Sequence, residues 1–169
     1  MSLRLEELGA RHLAQLEAFR AAFIEEGIRI SGAAGLELAP SAAAWLRGDR
    51  RAHYGNVEEK IYGAFDEAGA MVGISDIRLG ENDFIRKWAG RIGYSVVRGE
   101  RRKGYAAEIL RLTLKEAFAL GFDEVMVTCN ENNAASAGTI EKAGGRLTDT
   151  VDHPGFPRVR QYLFTKEDI

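Results

Sequence analysis

Between residues 104 and 120, Ala106, Ile109, Leu110, Thr113, Ala117 and Leu120 recur at helical spacing while Glu108, Arg111, Lys115 and Glu116 fill the opposite positions. That spacing predicts an amphipathic helix, and Gly121 is its stop signal. Residues 9–26 repeat the pattern through Leu13, Leu16, Phe19, Ala22 and Phe23, with Gly27 ending the run. Residues 57–65 and 70–79 are strand-like and are separated by Asp66-Glu67-Ala68-Gly69, the signature of a hairpin. Residues 91–97 give another strand. Residues 124–129 are too short and too β-branched for a helix, so they read as a buried strand parallel to the one before. Strand, helix and strand then make a right-handed β-α-β unit. A second helix opens at Asn132-Asn133-Ala134-Ala135-Ser136, runs to Ala143 and is closed by Gly144-Gly145. Strands over 146–152 and 158–164 finish the chain. The prolines and glycine of His153-Pro154-Gly155-Phe156-Pro157 argue for an irregular connection between them.

Elsewhere the pattern is weaker. Residues 1–6 suit a short first strand. Gly32, Gly35 and Pro40 break residues 28–55 into what reads as a mobile or substrate-facing segment, with Ser41 capping a short helix through Trp45 and Leu46. Residues 80–90 are polar and irregular. The fold class is α/β with a mixed α+β sheet: mostly antiparallel N-terminal strands, a central parallel β-α-β unit and a C-terminal antiparallel hairpin. At 169 residues, without repeats or linkers, one domain spanning 1–169 is expected.

Chemistry enters at Arg101-Arg102-Lys103-Gly104-Tyr105-Ala106, where the strand over 91–97 meets the long helix. Three cations at a helix start oppose the partial positive charge there, each at a cost of roughly 0.3–1 kcal/mol. A bound polyanion reverses that sign, and exposed N–H groups beside a glycine make a phosphate cradle. A solvated basic turn is the plainer alternative. A nucleoside-triphosphate loop is excluded, because Tyr105-Ala106 stands where Lys followed by Ser or Thr is required. No G-x-G-x-x-G follows a strand, which removes the dinucleotide fingerprint.

Composition narrows the class further. With 46% hydrophobic residues, 28% charged residues and a net charge of −2, the chain lacks the basic surface of a nucleic-acid binder. Cys129 is the sole cysteine, so no internal disulfide or cysteine-based metal cluster is available and a cytoplasmic setting is expected. His12, His53 and His153 lack ligand spacing, so no metal is expected. No run approaches the roughly 20 apolar residues of a membrane span, and none has the form of a signal peptide.

The order of elements resembles the GNAT superfamily of acyl-CoA-dependent N-acetyltransferases. The resemblance rests on Arg101-x-x-Gly104-x-Ala106 between a strand and a helix, and on Asn133-x-x-Ser136-x-x-x-x-Glu141-Lys142-x-Gly144 opening the next helix. Ile92-Gly93-Tyr94, Thr128-Cys129-Asn130 and Ala143-Gly144-Gly145 are similar to a bacterial group of predicted acetyltransferases. The resemblance implies a GNAT-like domain whose central strands splay. It implies acetyl-CoA as cosubstrate, its pyrophosphate on the main-chain N–H groups of Arg102, Lys103, Gly104, Tyr105 and Ala106, with Arg101 in the same loop. It also places the pantetheine arm along Val96 and Val97, with Asn133 and Ser136 at the following helix. Asn133 is equally readable as a plain helix cap, and Tyr105 as a packing residue.

The implied chemistry is attack of an amine on the thioester and expulsion of the thiolate, with a base for the ammonium and an acid for the sulfur. Many relatives carry a tyrosine acid on the helix after the asparagine, where this chain has Ile140. The base candidates are Asp76, Glu81 and His53, of which Asp76 is conspicuous as an aspartate in mid-strand. Cys129 reads as a small buried hydrophobe or as a residue near the thioester. The acceptor is a small-molecule or peptide amine, and the resemblance leaves room for a homodimer. The competing reading is an acyl-CoA-binding sensor without catalysis, which Ile140 keeps open.

Overall fold

The structure, a computed structural model, describes residues 2–50, 55 and 57–169. The candidate base His53 lies outside the described residues. Strands β1 (Arg4–Glu7), β2 (Glu59–Phe65), β3 (Met71–Arg78) and β4 (Ile92–Val96) form one antiparallel sheet in that order. Strands β5 (Glu124–Asn130), β7 (Phe156–Thr165) and β6 (Arg146–His153) form a second, with β7 in the middle. Helix α1 (Leu13–Glu26) and the short α2 (Ala42–Leu46) lie in the first half of the chain, α3 (Tyr105–Ala119) joins β4 to β5, and α4 (Ala134–Lys142) follows β5.

Both faces of the first sheet are covered, which is why β3 is buried at every position. One face packs Ile61, Phe65 and Ile74 against Leu16, Phe19 and Phe23 of α1 and against Trp45. The other packs Ile77 and Ile92 against Leu110, Leu114 and Ala117 of α3, and this cluster continues into Val125, Val127, Tyr162 and Phe164 of the second sheet. Ile140 of α4 sits inside it with no exposed surface. The two sheets thus share a core without sharing a ladder.

The expected neighbours β4 and β5 touch at one end only. Arg91 N–H donates to the Met126 carbonyl at 2.7 Å, and Thr128 Oγ1 donates to the Trp88 carbonyl at 2.7 Å. Gly90 permits this seam, since a Cβ there would stand 2.9 Å from the Met126 oxygen. Beyond it β4 pairs with β3 and β5 with β7, so the strands part.

Two expectations need correction. Residues 28–55, read as mobile or substrate-facing, do not form a loose segment where they are described: Ile30, Ala33, Leu36, Ala39, Ala42 and Trp45 are all buried, while Ile28, Arg29 and Ser31 line the cleft between the parted strands. Their backbone is held by side chains, with Arg20 donating to the Leu36 and Ala39 carbonyls at 2.9 and 2.6 Å and Trp45 Nε1 donating to Ala33 at 2.9 Å. The connection at 153–157 is a tight hairpin rather than an irregular loop, because His153 pairs with Phe156 across Pro154-Gly155. Gly155 takes the left-handed conformation at φ 82° that the turn requires. Pro157 is tolerated in β7 because it lies beside a bulge and before β7 meets β5 at Val159.

Candidate active site

The parted strands, the start of α3 and the start of α4 enclose a cleft of about 990 Å³. At its α3 end the chain enters the helix through two left-handed residues, Arg102 at φ 65° and Gly104 at φ 83°. A non-glycine residue held there costs roughly 1–2 kcal/mol. Gly104 is the N-cap and offers no side chain to cap the helix, so the first-turn N–H groups open toward the cleft. This main-chain arrangement fits a diphosphate, although of the clustered cations Arg101 and Lys103 are already paired, with Glu26 and Glu100.

Arg101 holds the loop in place. Its Nε donates to the Val96 carbonyl at 2.9 Å, and its two terminal nitrogens donate to the Glu26 carboxylate at 2.6 and 2.8 Å. The same hydrogen bonds hold the Glu26 carboxyl below its ordinary range. Arg101 therefore ties the loop to the last turn of α1 while its surface lines the cleft. Val96, Arg102, Gly104, Tyr105, Ala106, Asn133 and Ser136 also line it. Val97 and Lys103 stand outside: Val97 packs toward the α1 cluster, and Lys103 Nζ pairs with Glu100 at 2.8 Å.

At the α4 end, Asn133 is the helix cap, its Oδ1 accepting from Ser136 N–H at 3.1 Å. Above it the Tyr94 hydroxyl lies 3.2 Å from Ser136 Oγ, so a phenol from β4 reaches α4 across the cleft. Burial pushes the Tyr94 hydroxyl up to about 12, which keeps it protonated at neutral pH. Ile140 is walled into the core and supplies no polar group. Cys129 lines the cleft nearby but is buried, and burial raises its thiol, so it is no thiolate nucleophile. Tyr94 was missed in the sequence, although its alternation with Ile92 and Val96 places the three on one strand face.

The carboxylate candidates are placed elsewhere. Asp76 is fully buried, its Oδ2 accepting from Arg78 Nε at 3.0 Å and its Oδ1 from Gly93 N–H at 2.7 Å. Arg78 Nη1 in turn donates to the carbonyls of Ala89 and Gly90 at 2.9 and 3.1 Å. Asp76 is thus part of a clamp that fixes the start of β4. Glu81 is half exposed and faces Arg91 and Arg86 at 3.5 and 3.9 Å, outside the cleft.

The sequence matches the acetyltransferase (GNAT) domain family over residues 7–146. The chain belongs to the GNAT acetyltransferase family. It is an acetyl-CoA-dependent N-acetyltransferase by class, and no group of three or more metal-ligating side chains occurs among its described residues. No curated protein sequence matches it significantly. Among solved structures it is similar to aminoglycoside acetyltransferase AAC(6')-Ib in complex with ribostamycin and coenzyme A, with a TM-score of 0.68 and 18% identity over 99% of this chain and 96% of that one. It is also similar to ribosomal-protein-S5-alanine acetyltransferase from Vibrio fischeri, with a TM-score of 0.69 and 14% identity over 99% and 95% of the chains. A third likeness is to spermidine N-acetyltransferase from Vibrio cholerae in complex with coenzyme A and spermine, with a TM-score of 0.64 and 13% identity over 98% and 96%. At such identities these likenesses carry the fold and leave the acceptor open. No described helix is long and apolar enough to cross a membrane.

Proposed function

We propose that this GNAT domain moves the acetyl group of acetyl-CoA to the primary amine of a small molecule or peptide by direct attack of the amine on the thioester. The observation that carries the reading is the uncapped mouth of α3 opening into the cleft between β4 and β5. Main-chain N–H groups of Arg102, Gly104, Tyr105 and Ala106, which line the cleft, would hold the pyrophosphate, while Val96, Asn133 and Ser136 would border the pantetheine arm. Acetyl-CoA, when bound, supplies the acyl thioester.

Tyr94 takes the place of the tyrosine that Ile140 lacks. Its hydroxyl, protonated and oriented by Ser136, donates a hydrogen bond to the departing sulfur. Asp76 and Glu81 stand outside the cleft, so neither takes the amine's proton. No observation favours a catalytically silent sensor.

The test is thiol release from acetyl-CoA across amino acids, amines, polyamines, aminoglycosides and peptides. Turnover of at least one acceptor is expected, with the pH dependence of kcat/KM following the acceptor's own amine. Tyr94→Phe should lower kcat about 100-fold with coenzyme A affinity unchanged. Absence of thiol release across the panel would overturn the reading, and full kcat in Tyr94→Phe would remove Tyr94 from it.

A further inference from the structure

At the end of the cleft away from the α3 mouth, three rings are stacked in a column. Trp88 and His153 lie 4.3 Å apart with their planes 11° from parallel, and His153 and Phe156 lie 4.5 Å apart at 26°. Phe84 closes the side of the column, edge-on to Trp88 at 5.6 Å and to His153 at 6.0 Å. All four rings line the cleft. The column is anchored at its base, where Trp88 Nε1 donates to the Asp152 carbonyl at 3.0 Å. Its outer ring is left open, Phe156 being 67% exposed.

Charge at the cleft points the same way. The one carboxylate in its described lining is Glu100, which already holds Lys103; of the lining cations, Arg78 and Arg101 are themselves bound to Asp76 and Glu26, and Arg102 stands in the loop before α3. The residues that are not described, Met1, 51–54 and 56, include no Asp or Glu. The carboxylates near the column in sequence share arginines: Asp152 and Glu131 both face Arg158, and Asp83 and Glu81 both face Arg86. A polycationic acceptor needs several carboxylates at the spacing of its amines, and this lining does not present them. A flat apolar body, by contrast, finds an open ring face on which it continues the stack.

We infer that the column Trp88–His153–Phe156 is the acceptor subsite, and that it takes the ring of an aromatic monoamine rather than a polyamine or an aminoglycoside. The inference rests on the acetyl-transfer reading only for treating this end of the cleft as the acceptor side. Stacking on Phe156 fixes the ring at the mouth and turns the amine inward toward the parted strands. Phe156 is thereby a specificity-determining residue, and its exposed position makes it replaceable without disturbing the core.

Isothermal titration of the coenzyme A-saturated protein tests the inference with phenethylamine, benzylamine, spermidine and kanamycin. The ring-bearing amines should bind about tenfold or more tightly than spermidine or kanamycin. Phe156→Ala should weaken phenethylamine about tenfold, and Phe156→Tyr should restore it while the affinity for coenzyme A stays unchanged in both. Equal or tighter binding of spermidine or kanamycin overturns the inference. So does an unaltered phenethylamine affinity in Phe156→Ala, or the absence of heat with any ring-bearing amine. Sedimentation gives a further refutation: a dimer that Phe156→Ala dissociates would mean the ring is covered by a second copy. Phe156-dependent binding without thiol release keeps the subsite and removes acetyl transfer. Thiol release with spermidine alone does the reverse.

Discussion

Replacing Glu59 by glutamine should stabilise the protein above neutral pH, and the gain should vanish in acid. Glu59 sits at the start of β2 on the face that also carries Asp76, and its Oε2 has no hydrogen-bond partner. Burial, joined by the neighbouring Asp76 carboxylate, pushes the Glu59 carboxyl up to about 9, while Arg78 and Arg50 pull against the shift. The folded protein therefore keeps a proton that the unfolded chain releases above its ordinary value of 4.5. Between those values the unfolded state binds fewer protons, so stability falls as pH rises, by up to about 1.4 kcal/mol per unit. At pH 7, about 2.5 units above the ordinary value, the full effect would be near 3 kcal/mol; with part of the group in water, screening reduces it to about 1–2 kcal/mol. Glutamine keeps the shape, has no charge to bury and offers N–H groups to Asp76. Thermal melts of parent and Glu59→Gln at constant ionic strength from pH 4.5 to 9 should coincide in acid and separate by roughly 3–6 °C at pH 8. A Tm difference that is constant across this range, or a parent that is the more stable at pH 8, would refute the reasoning.

Two further substitutions probe the site and its walls. Gly104→Asp puts bulk and negative charge at the mouth of α3 and should weaken coenzyme A at least about tenfold by calorimetry, or abolish its thermal shift. Gly32→Ala should cost about 3 kcal/mol and lower Tm by roughly 9 °C, because φ there is 79° and a Cβ would lie 2.5 Å from the Gly93 carbonyl. Gly9→Ala, in open space with an extended backbone, should leave Tm unchanged and serves as its control.

Periodicity carried the sequence reading where a helix buries a regular stripe, as in α1 and α3, while β5 was read from its shortness and β-branched residues. It failed over residues 28–50 for a physical reason. Ile30, Leu36 and Trp45 are core residues on backbone whose carbonyls are satisfied by Arg20 and by the Trp45 indole, and no local pattern encodes such partners. Asp76 was legible as an anomaly but not as a clamp. The cue was Arg78 two residues on, since residues i and i+2 of a strand share a face and an aspartate there finds its arginine without leaving β3. The loop proposed for coenzyme A stood out in the sequence because glycine and clustered cations suggest a main-chain site, whereas Tyr94 and the aromatic column depend on pairings across 42 and 65 residues of sequence that only the fold brings together.

The cleft itself follows from how the strands are partnered. β4 is hydrogen-bonded along its β3 edge and β5 along its β7 edge, and the seam between them ends after Arg91 and Met126. Two interior strand edges are thus left facing one another without a ladder, a condition that proteins ordinarily cover or blunt. The Tyr94–Ser136 contact joins β4 to α4 rather than to β5 and does not close this gap. A chain that carries its own amides, as the pantetheine arm does, can pair with the open edge of β4 much as a strand would. On the proposed function, the α3 mouth, the β4 edge and the aromatic column along this one cleft would receive diphosphate, pantetheine arm and amine in turn.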